Sequence, residues 1–97
     1  MVSFEWDAAK AKANLKKHGV SFELARSVFE DPCTSLIWDR VVDGEQRWQA
    51  IGSAVGRIVL IVVHTVIEDD DEDETIRIIS AGETTRGEKR LYQVNYH

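Results

Sequence analysis

The spacing of hydrophobic positions predicts two helices in the first third of the chain. The segment from Ala8 to Lys17 contains strong helix formers, and Asp7 and Gly19 are suited to cap its two ends. Ser21 can cap a second helix, which Asp31-Pro32 ends. The apolar residues of this second helix recur at helical spacing and form one buried stripe: Phe22, Ala25, Val28 and Phe29.

The remaining segments alternate between apolar and polar residues, or are continuously apolar, and predict strands. One short strand precedes the helices, and four more follow them: Phe4–Trp6, Ser35–Trp38, Gln46–Ile51, Arg57–Thr65 and Thr75–Ser80. The Arg57–Thr65 segment is β-branched and apolar throughout, which favours a central strand covered on both faces. A terminal helix is predicted from Thr84 to Gln93. The order β-α-α-β-β-β-β-α predicts an α+β fold in which helices cover a small, mostly antiparallel sheet.

Length and composition favour one globular domain spanning residues 1–97. The chain is 43% hydrophobic and 30% charged, which does not fit a wholly disordered protein. It contains no apolar stretch near the ~20 residues of a membrane span, and its first residues lack the basic and apolar segments of a signal peptide. We therefore expect a cytoplasmic protein with no membrane association. The single cysteine, Cys33, excludes an internal disulfide and a cysteine zinc site.

The charge of the chain is divided unevenly. The net charge is −5, but Glu68–Glu74 is an unbroken acidic run of seven, and the other ninety residues carry a net charge of +2. Adjacent like charges repel one another and gain nothing by burial, so the run predicts a solvated hairpin tip. A calcium loop is the alternative, but the run lacks the required glycine and ligand spacing. We expect no metal and no cofactor.

Arginines on two predicted strands are the strongest candidates for binding chemistry. Glu45, Arg47 and Gln49 are spaced by two and project from one strand face. In the last strand Arg77 shares a face with Ile79, opposite Ile76, Ile78 and Ser80. If Arg47 and Arg77 lie on the same side of the sheet, they form a cationic surface that can neutralise phosphates.

For the arginines, and also for the tryptophans, an interpretation without a binding function stays open. In this interpretation the arginines are ordinary solvated residues that pair with Glu45 and Glu88. Tryptophans belong to protein cores more often than to base-stacking platforms, so we expect core positions for all three: Trp6, Trp38 and Trp48.

Several segments resemble the BrnT toxin family. The most specific are Lys-His-Gly-Val-Ser-Phe at residues 17–22 and Arg-Ile-Ile-Ser-Ala at residues 77–81. The similarity keeps its order and spacing over nearly the whole chain, and it also includes Phe4–Asp7, Asn14, Asp31-Pro32, Gly44-Glu45, Arg47, Glu88 and Tyr92.

The resemblance implies a RelE-like fold and a ribonuclease toxin of a type II toxin–antitoxin system, with RNA as substrate. It also implies a BrnA-like antitoxin with a ribbon-helix-helix DNA-binding domain. In such systems the complex represses its own operon, so the toxin would contact DNA only indirectly through its antitoxin.

Cleavage of RNA without a metal needs a base, an acid and cations for the phosphate charge. The candidates that the family motifs bring together are Lys17, His18, Glu45, Arg47 and Arg77. Arg47 and Arg77 suit phosphate stabilisation, because a guanidinium fork matches phosphate oxygens. Glu45 is the candidate base, or it orients Arg47. His18 can act as acid or base, or can simply end a helix.

One departure from the family bears on activity. The family usually has an arginine directly after Ile-Ile-Ser-Ala, where this chain has Gly82 followed by Glu83. The loss of that cation leaves two hypotheses open: an RNA-cleaving toxin, active or attenuated, and a catalytically inactive domain that binds an antitoxin.

Overall fold

The fold confirms the predicted order of helices and strands. The computed structural model describes residues 1–56 and 58–95, with the backbone alone at 91 and 93–95. The elements are β1 (Val2–Glu5), α1 (Ala8–His18), α2 (Phe22–Arg26), a 3₁₀ turn (Ser27–Glu30), β2 (Ser35–Val42), β3 (Glu45–Ala54), β4 (Ile58–Glu68), β5 (Glu74–Glu83) and α3 (Arg86–Asn95). Arg57, the predicted first residue of the fourth strand, lies outside the described residues.

The five strands form one sheet in the order β1-β5-β4-β3-β2. Neighbouring strands are antiparallel except for β1 and β5, which are parallel. This arrangement confirms a mostly antiparallel sheet and leaves β2 at one edge. None of the helices in the described ranges is long and apolar enough to cross a membrane.

The caps predicted for the first two helices are present. The Asp7 side chain accepts a hydrogen bond from the Lys10 N–H at 3.0 Å, and Gly19 ends α1 with φ +70°. Ser21 accepts from the Leu24 N–H at 3.0 Å at the start of α2. These bonds satisfy N–H groups that a helix end otherwise leaves without partners.

The main hydrophobic core lies between α2, the 3₁₀ turn and one face of the sheet, which we call the core face. Phe22 and Val28 are fully buried there. They pack in a cluster that includes Ala50, Val62 and Ala81, which pair with one another across three strands. Removing a buried aromatic ring from such a core typically costs about 3–5 kcal/mol.

Strand β4 is central in the sheet, but it is not sealed on both faces as its apolar sequence predicted. Leu60, Val62 and His64 point to the core face and are buried. Ile61 and Val63 point to the opposite face and remain partly exposed. The covering helices lie mainly on the core face, so the other side of β4 stays accessible.

A bulge in β5 changes which residues share a face. Val63 pairs with Ser80, but the next residue, His64, pairs with Ile78, so Ile79 is an extra residue. Ser80 therefore lies on the same face as Arg77, and the prediction that it accompanies Ile78 is wrong. Strict alternation fails wherever one strand gains a residue relative to its partner.

Strand β1 pairs with β5 only as far as Arg77, and the side chain of Asn14 takes the place of a neighbouring strand further along, at Ala81. Its side-chain amide donates to the Ala81 carbonyl at 2.8 Å and to the Val20 carbonyl at 3.0 Å. Its oxygen accepts from the Ala81 N–H at 3.1 Å. The buried side chain thus replaces a strand neighbour at this point of the edge and ties α1 to the sheet.

The acidic run forms the hairpin tip that the charge pattern predicted. Residues 69–73 connect β4 to β5 and are exposed. The Asp69 carboxylate accepts from the N–H groups of Asp71 and Asp73. The N-terminal ammonium of Met1 donates to Asp73 at 2.9 Å, which fixes the tip beside β1.

Helix α3 covers one end of the face opposite the core face. Thr85 and Glu88 exchange hydrogen bonds at its start in a capping box. The helix lies against β2, β3 and β4, and Tyr92 is buried.

Burial raises the pKa of Asp31, but hydrogen bonds from Ser53, Cys33 and Tyr92 outweigh this effect and hold the pKa of that carboxyl below its usual value.

Candidate functional site

Three arginines lie in one row on the sheet face opposite the core. Arg40 of β2 pairs with Arg47 of β3, and Thr65 of β4 pairs with Arg77 of β5. Trp48 pairs with His64, so the same register continued by one residue places Arg47 opposite Thr65. We call this side the arginine face. Arg47 and Arg77 are two strands apart, or roughly 10 Å between Cα atoms.

The two arginines predicted from the sequence make no direct ion pair with the carboxylates near them in the described part of the chain. Within residues 1–56 and 58–95, neither Arg47 nor Arg77 forms an ion pair. The predicted pairing of these arginines with Glu45 and Glu88 is absent from the described residues, and Glu88 instead caps α3. Both arginines are half-buried, so their charges are partly shielded from water and interact more strongly with an anion.

Two polar atoms in the middle of the row lack hydrogen bonds. The Nε atom of Arg47 and the hydroxyl oxygen of Thr65 are both buried without a partner among the described residues. A buried polar group left unpaired typically costs about 1–3 kcal/mol. The cationic row therefore contains hydrogen-bonding capacity that the described part of the chain does not use.

Sequence reasoning missed Arg40. Alternation from Trp38 places Arg40 on the core face, but a register shift between Trp38 and Arg40 inserts Asp39 and turns Arg40 toward Arg47. Asp39 also accepts a hydrogen bond from Gln49 at 3.1 Å. No residue in this segment signals the bulge, so the sequence offers no means of finding the third arginine.

Carboxylates border the row at both ends. Glu45 is half-buried at the start of β3, two residues before Arg47 and on the same face. At the other end Glu5 pairs with Arg77, and a cleft of about 220 Å³ is lined by Glu5, Trp6, Asp7 and Arg77. Acidic groups this close reduce the positive potential at both ends of the row, through Glu45 near Arg47 and Glu5 near Arg77.

His18 and Lys17 lie apart from the arginines. Both are exposed in the last turn of α1. The His18 ring adjoins Gly82, which pairs with Ile61 on the arginine face. Gly82 is five residues along β5 from Arg77, roughly 15 Å at the usual rise per residue. The five candidate residues thus form two separate groups rather than a single cluster, and His18 is the member of the α1 group that lies beside the arginine face.

The backbone at Gly82 can accept a side chain. A Cβ atom added there would lie 3.7 Å from His18 Nδ1, an ordinary van der Waals distance, and Gly82 is not among the residues with positive φ. An arginine at this position would project beside His18 on the arginine face. The structure therefore shows no steric reason for a glycine at position 82.

His64 belongs to the core rather than to this site. Its ring packs edge-on against Phe29, with 4.8 Å between centroids, and its Nδ1 lies 3.2 Å from the Val62 carbonyl oxygen. Burial lowers the pKa of His64 below its usual value of 6.5, although the hydrogen bond to Val62 opposes this change.

His64 should make the fold sensitive to mild acid. Its pKa is lower in the folded chain than in the unfolded chain. Between these two pKa values the unfolded chain therefore binds a proton at His64 and the folded chain does not. The free energy of unfolding should therefore fall as the pH drops below about 6.5, by at most about 1.4 kcal/mol per pH unit. Urea unfolding between pH 7.5 and pH 5.5 tests this. His64→Gln should show a shallower pH dependence, and equal slopes for the two proteins would rule out His64 as the cause.

The tryptophans are not all core residues. Trp6 packs edge-on against Phe22, as a core position requires. Trp38 is 57% exposed, so the prediction of a core position is wrong for this residue. Trp38 and Trp48 pair with each other and project from the core face at the edge that the helices leave uncovered. They point away from the arginines and cannot stack bases bound there.

Comparison with known proteins agrees with this architecture. Among solved structures, the chain is similar to the crystal structure of the Brucella abortus ribonuclease toxin BrnT, with a TM-score of 0.64 and 22% sequence identity. The match covers 89% of this chain and 99% of that one. The chain thus shares the small α+β fold of that toxin structure. No curated protein matches the chain.

The family follows from the sequence itself. A family model described as the ribonuclease toxin BrnT of type II toxin–antitoxin systems matches residues 6–88. The chain belongs to the BrnT family, which confirms the resemblance seen in its motifs. Membership of a type II toxin family implies an antitoxin partner.

Proposed function

We propose that this protein cleaves RNA without a metal, using the ribose 2′-hydroxyl as nucleophile and the arginine face to bind the phosphate. The proposal is carried by one observation: Arg47 and Arg77 come from different strands, share a face and form no ion pair within the described part of the chain. Cation pairs arranged before substrate arrives can stabilise the extra negative charge of a phosphorane-like transition state.

Arg47 is best suited to contact the scissile phosphate. Its Nε–H has no hydrogen-bond partner among the described residues, and a guanidinium can offer two parallel donors to two phosphate oxygens. Arg77 lies across β4 and can bind the same phosphate or the next one. The side chain of Arg40 extends the row toward the β2 edge.

Acid–base chemistry falls to the remaining three candidates. Glu45 lies closest to Arg47 along the chain on the same face and is the proposed base, or the group that orients Arg47. His18 is the proposed acid, or a second base, with Lys17 beside it as an additional cation. An RNA strand that runs along β5 can contact both groups, because both lie on the same side of the sheet.

The alternative is a toxin-like domain that binds an antitoxin and cuts nothing. Two features favour it: Gly82 removes a cation beside His18, and Glu83 adds a negative charge. Loss of one donor of this type typically lowers a rate about 10²–10³-fold. The same chain would then act only as a corepressor of its operon.

A Gly82→Arg substitution separates the two functions. We expect it to increase cleavage of purified RNA by about 10²-fold, since it restores a cation beside His18. Gly82→Gln is the matched control, because it adds a side chain of similar shape without charge. Cleavage by the arginine form alone supports an attenuated toxin. If neither the parent nor Gly82→Arg degrades RNA, the domain is a binding module.

For the partner we propose a BrnA-like antitoxin with a ribbon-helix-helix domain, encoded next to the toxin and acting with it in the cytoplasm. The complex would bind operator DNA through the ribbon-helix-helix domain of the antitoxin. Co-purification with the product of the adjacent reading frame tests the partner. Operator binding by the toxin alone would contradict the indirect contact with DNA.

A further inference from the structure

The core face carries an apolar groove that residues 1–56 and 58–95, as far as the structure describes them, leave unfilled. The groove has a volume of about 430 Å³ and is lined by Leu36, Trp48, His64, Val66 and Glu68. Helix α1 contacts β5, and α2 and the 3₁₀ turn contact β5 and β3. The half of the core face nearest the β2 edge is left open.

Large hydrophobic side chains surround this groove and are exposed to solvent. Leu36 is 63% exposed and Trp38 is 57% exposed. Trp38 is paired with the half-buried Trp48 on the neighbouring strand, so the two rings form one continuous surface, and the buried His64 lies beneath the groove. Contiguous apolar surface on a small protein marks a binding site, and tryptophan is enriched among the residues that dominate binding energy.

The charge around the groove indicates what chemistry its ligand has. Glu68 forms one end of the groove and is also the first residue of the acidic run Glu68–Glu74. The tip that follows is exposed and negative, apart from the N-terminal ammonium paired with Asp73. A ligand that inserts apolar side chains beside Trp48 therefore meets strong negative potential at one end, which favours basic residues there.

We propose that this groove anchors an amphipathic segment of the antitoxin, with its apolar side over Trp38 and Trp48 and its basic residues against Glu68 and the acidic tip. The inference rests on the antitoxin partner, not on RNA cleavage. The groove lies on the opposite face of the sheet from Arg47 and Arg77. The antitoxin would therefore hold the toxin at a surface that is separate from the phosphate-binding row.

The test measures the affinity of the cognate antitoxin, the product of the adjacent reading frame, for variants of the full chain. Trp38→Ser and Val66→Ser should weaken binding by about tenfold or more. Ile67→Ser is the matched control, because Ile67 is 48% exposed, Val66 is 37% exposed, and the two project from opposite faces of β4. Affinity of Ile67→Ser should stay within about twofold of the parent. Circular dichroism checks that each variant is folded.

Charge reversal tests the second half of the proposal. Glu68→Lys should weaken binding and flatten its dependence on salt, since it removes attraction to a basic segment. Unchanged affinity in Trp38→Ser and Val66→Ser would overturn the groove as the anchor. So would a larger loss in Ile67→Ser, self-association of the parent that Trp38→Ser abolishes, or failure of the folded parent to bind the antitoxin.

RNA cleavage is measured on the same variants to keep the two proposals distinct. The groove residues lie away from the arginine face, so Trp38→Ser should cleave RNA as the parent does. If the parent proves inactive on RNA, the binding measurements still decide the groove. If the groove variants bind normally while RNA is cleaved, the groove proposal fails alone.

Discussion

Replacing Arg47 or Arg77 by glutamine is expected to lower RNA cleavage about 10²–10³-fold in the Gly82→Arg background. Glutamine keeps hydrogen-bonding ability but removes the positive charge that offsets the charge developing on the phosphate oxygens. Single-turnover cleavage of a labelled RNA oligonucleotide measures the effect directly. The loss should appear mainly in the maximal rate, because the charge grows in the transition state.

Lys12→Gln provides the control for charge alone. Lys12 is exposed in α1, away from the arginine row, and its replacement removes the same unit of charge. It should change the rate by less than about threefold. If Lys12→Gln costs as much as Arg47→Gln, cleavage depends on overall charge and the row has no specific part in it.

Asn14→Leu is expected to destabilise the fold by about 3 kcal/mol or more. The change leaves the Ala81 N–H and the carbonyls of Ala81 and Val20 buried without their side-chain partner. Each such group typically costs about 1–3 kcal/mol. Total stabilities of small domains are about 5–15 kcal/mol, so much of the folded population would be lost at moderate denaturant. Urea unfolding followed by circular dichroism measures the difference.

Leu15→Ser is the neighbouring control for this prediction. Leu15 follows Asn14 in α1 but is 51% exposed, so its replacement should cost less than about 0.5 kcal/mol beyond helix propensity. Equal stability of Asn14→Leu and the parent would show that the β5 edge does not need the amide. The α1–β5 connection would then depend on apolar packing alone.

Local signals were sufficient to predict much of the fold. Asp7, Gly19 and Ser21 mark helix ends through their own side chains or backbone freedom, and each is found at the end it predicted. The order of the strands along the chain followed from alternating or continuously apolar segments. Strand lengths did not, because pairing extends β2 to Val42 and β5 to Glu83, beyond the apolar segments that identified them.

The candidate site was predictable only where residues keep a period of two. Arg47 and Arg77 share a face because no bulge intervenes between each arginine and Thr65. Two insertions broke the rule elsewhere: Ile79 moved Ser80 to the arginine face, and Asp39 moved Arg40 there. Bulges arise from the pairing of distant strands, which one sequence segment does not record.

The separation of His18 from the arginines also has a tertiary cause. A shared family motif groups residues by function but does not fix distances between them. Asn14 fastens α1 to Ala81, and this contact places the end of α1 beside Gly82 rather than beside Arg77. The exposure of Trp38 likewise depends on where the helices stop, since its own strand pattern matches that of a buried residue.

The central claim is that Arg47 and Arg77 jointly bind the RNA backbone, and the salt dependence of RNA binding tests it most directly. The ligand is a short single-stranded RNA whose 2′-hydroxyls are methylated, so that it cannot be cleaved. Each phosphate contact on a single strand contributes about 0.7 to the slope of log affinity against log salt. The account predicts that the Arg47→Gln/Arg77→Gln double variant binds more weakly, with a slope smaller by about 1.4. An unchanged slope and affinity in that variant would contradict it.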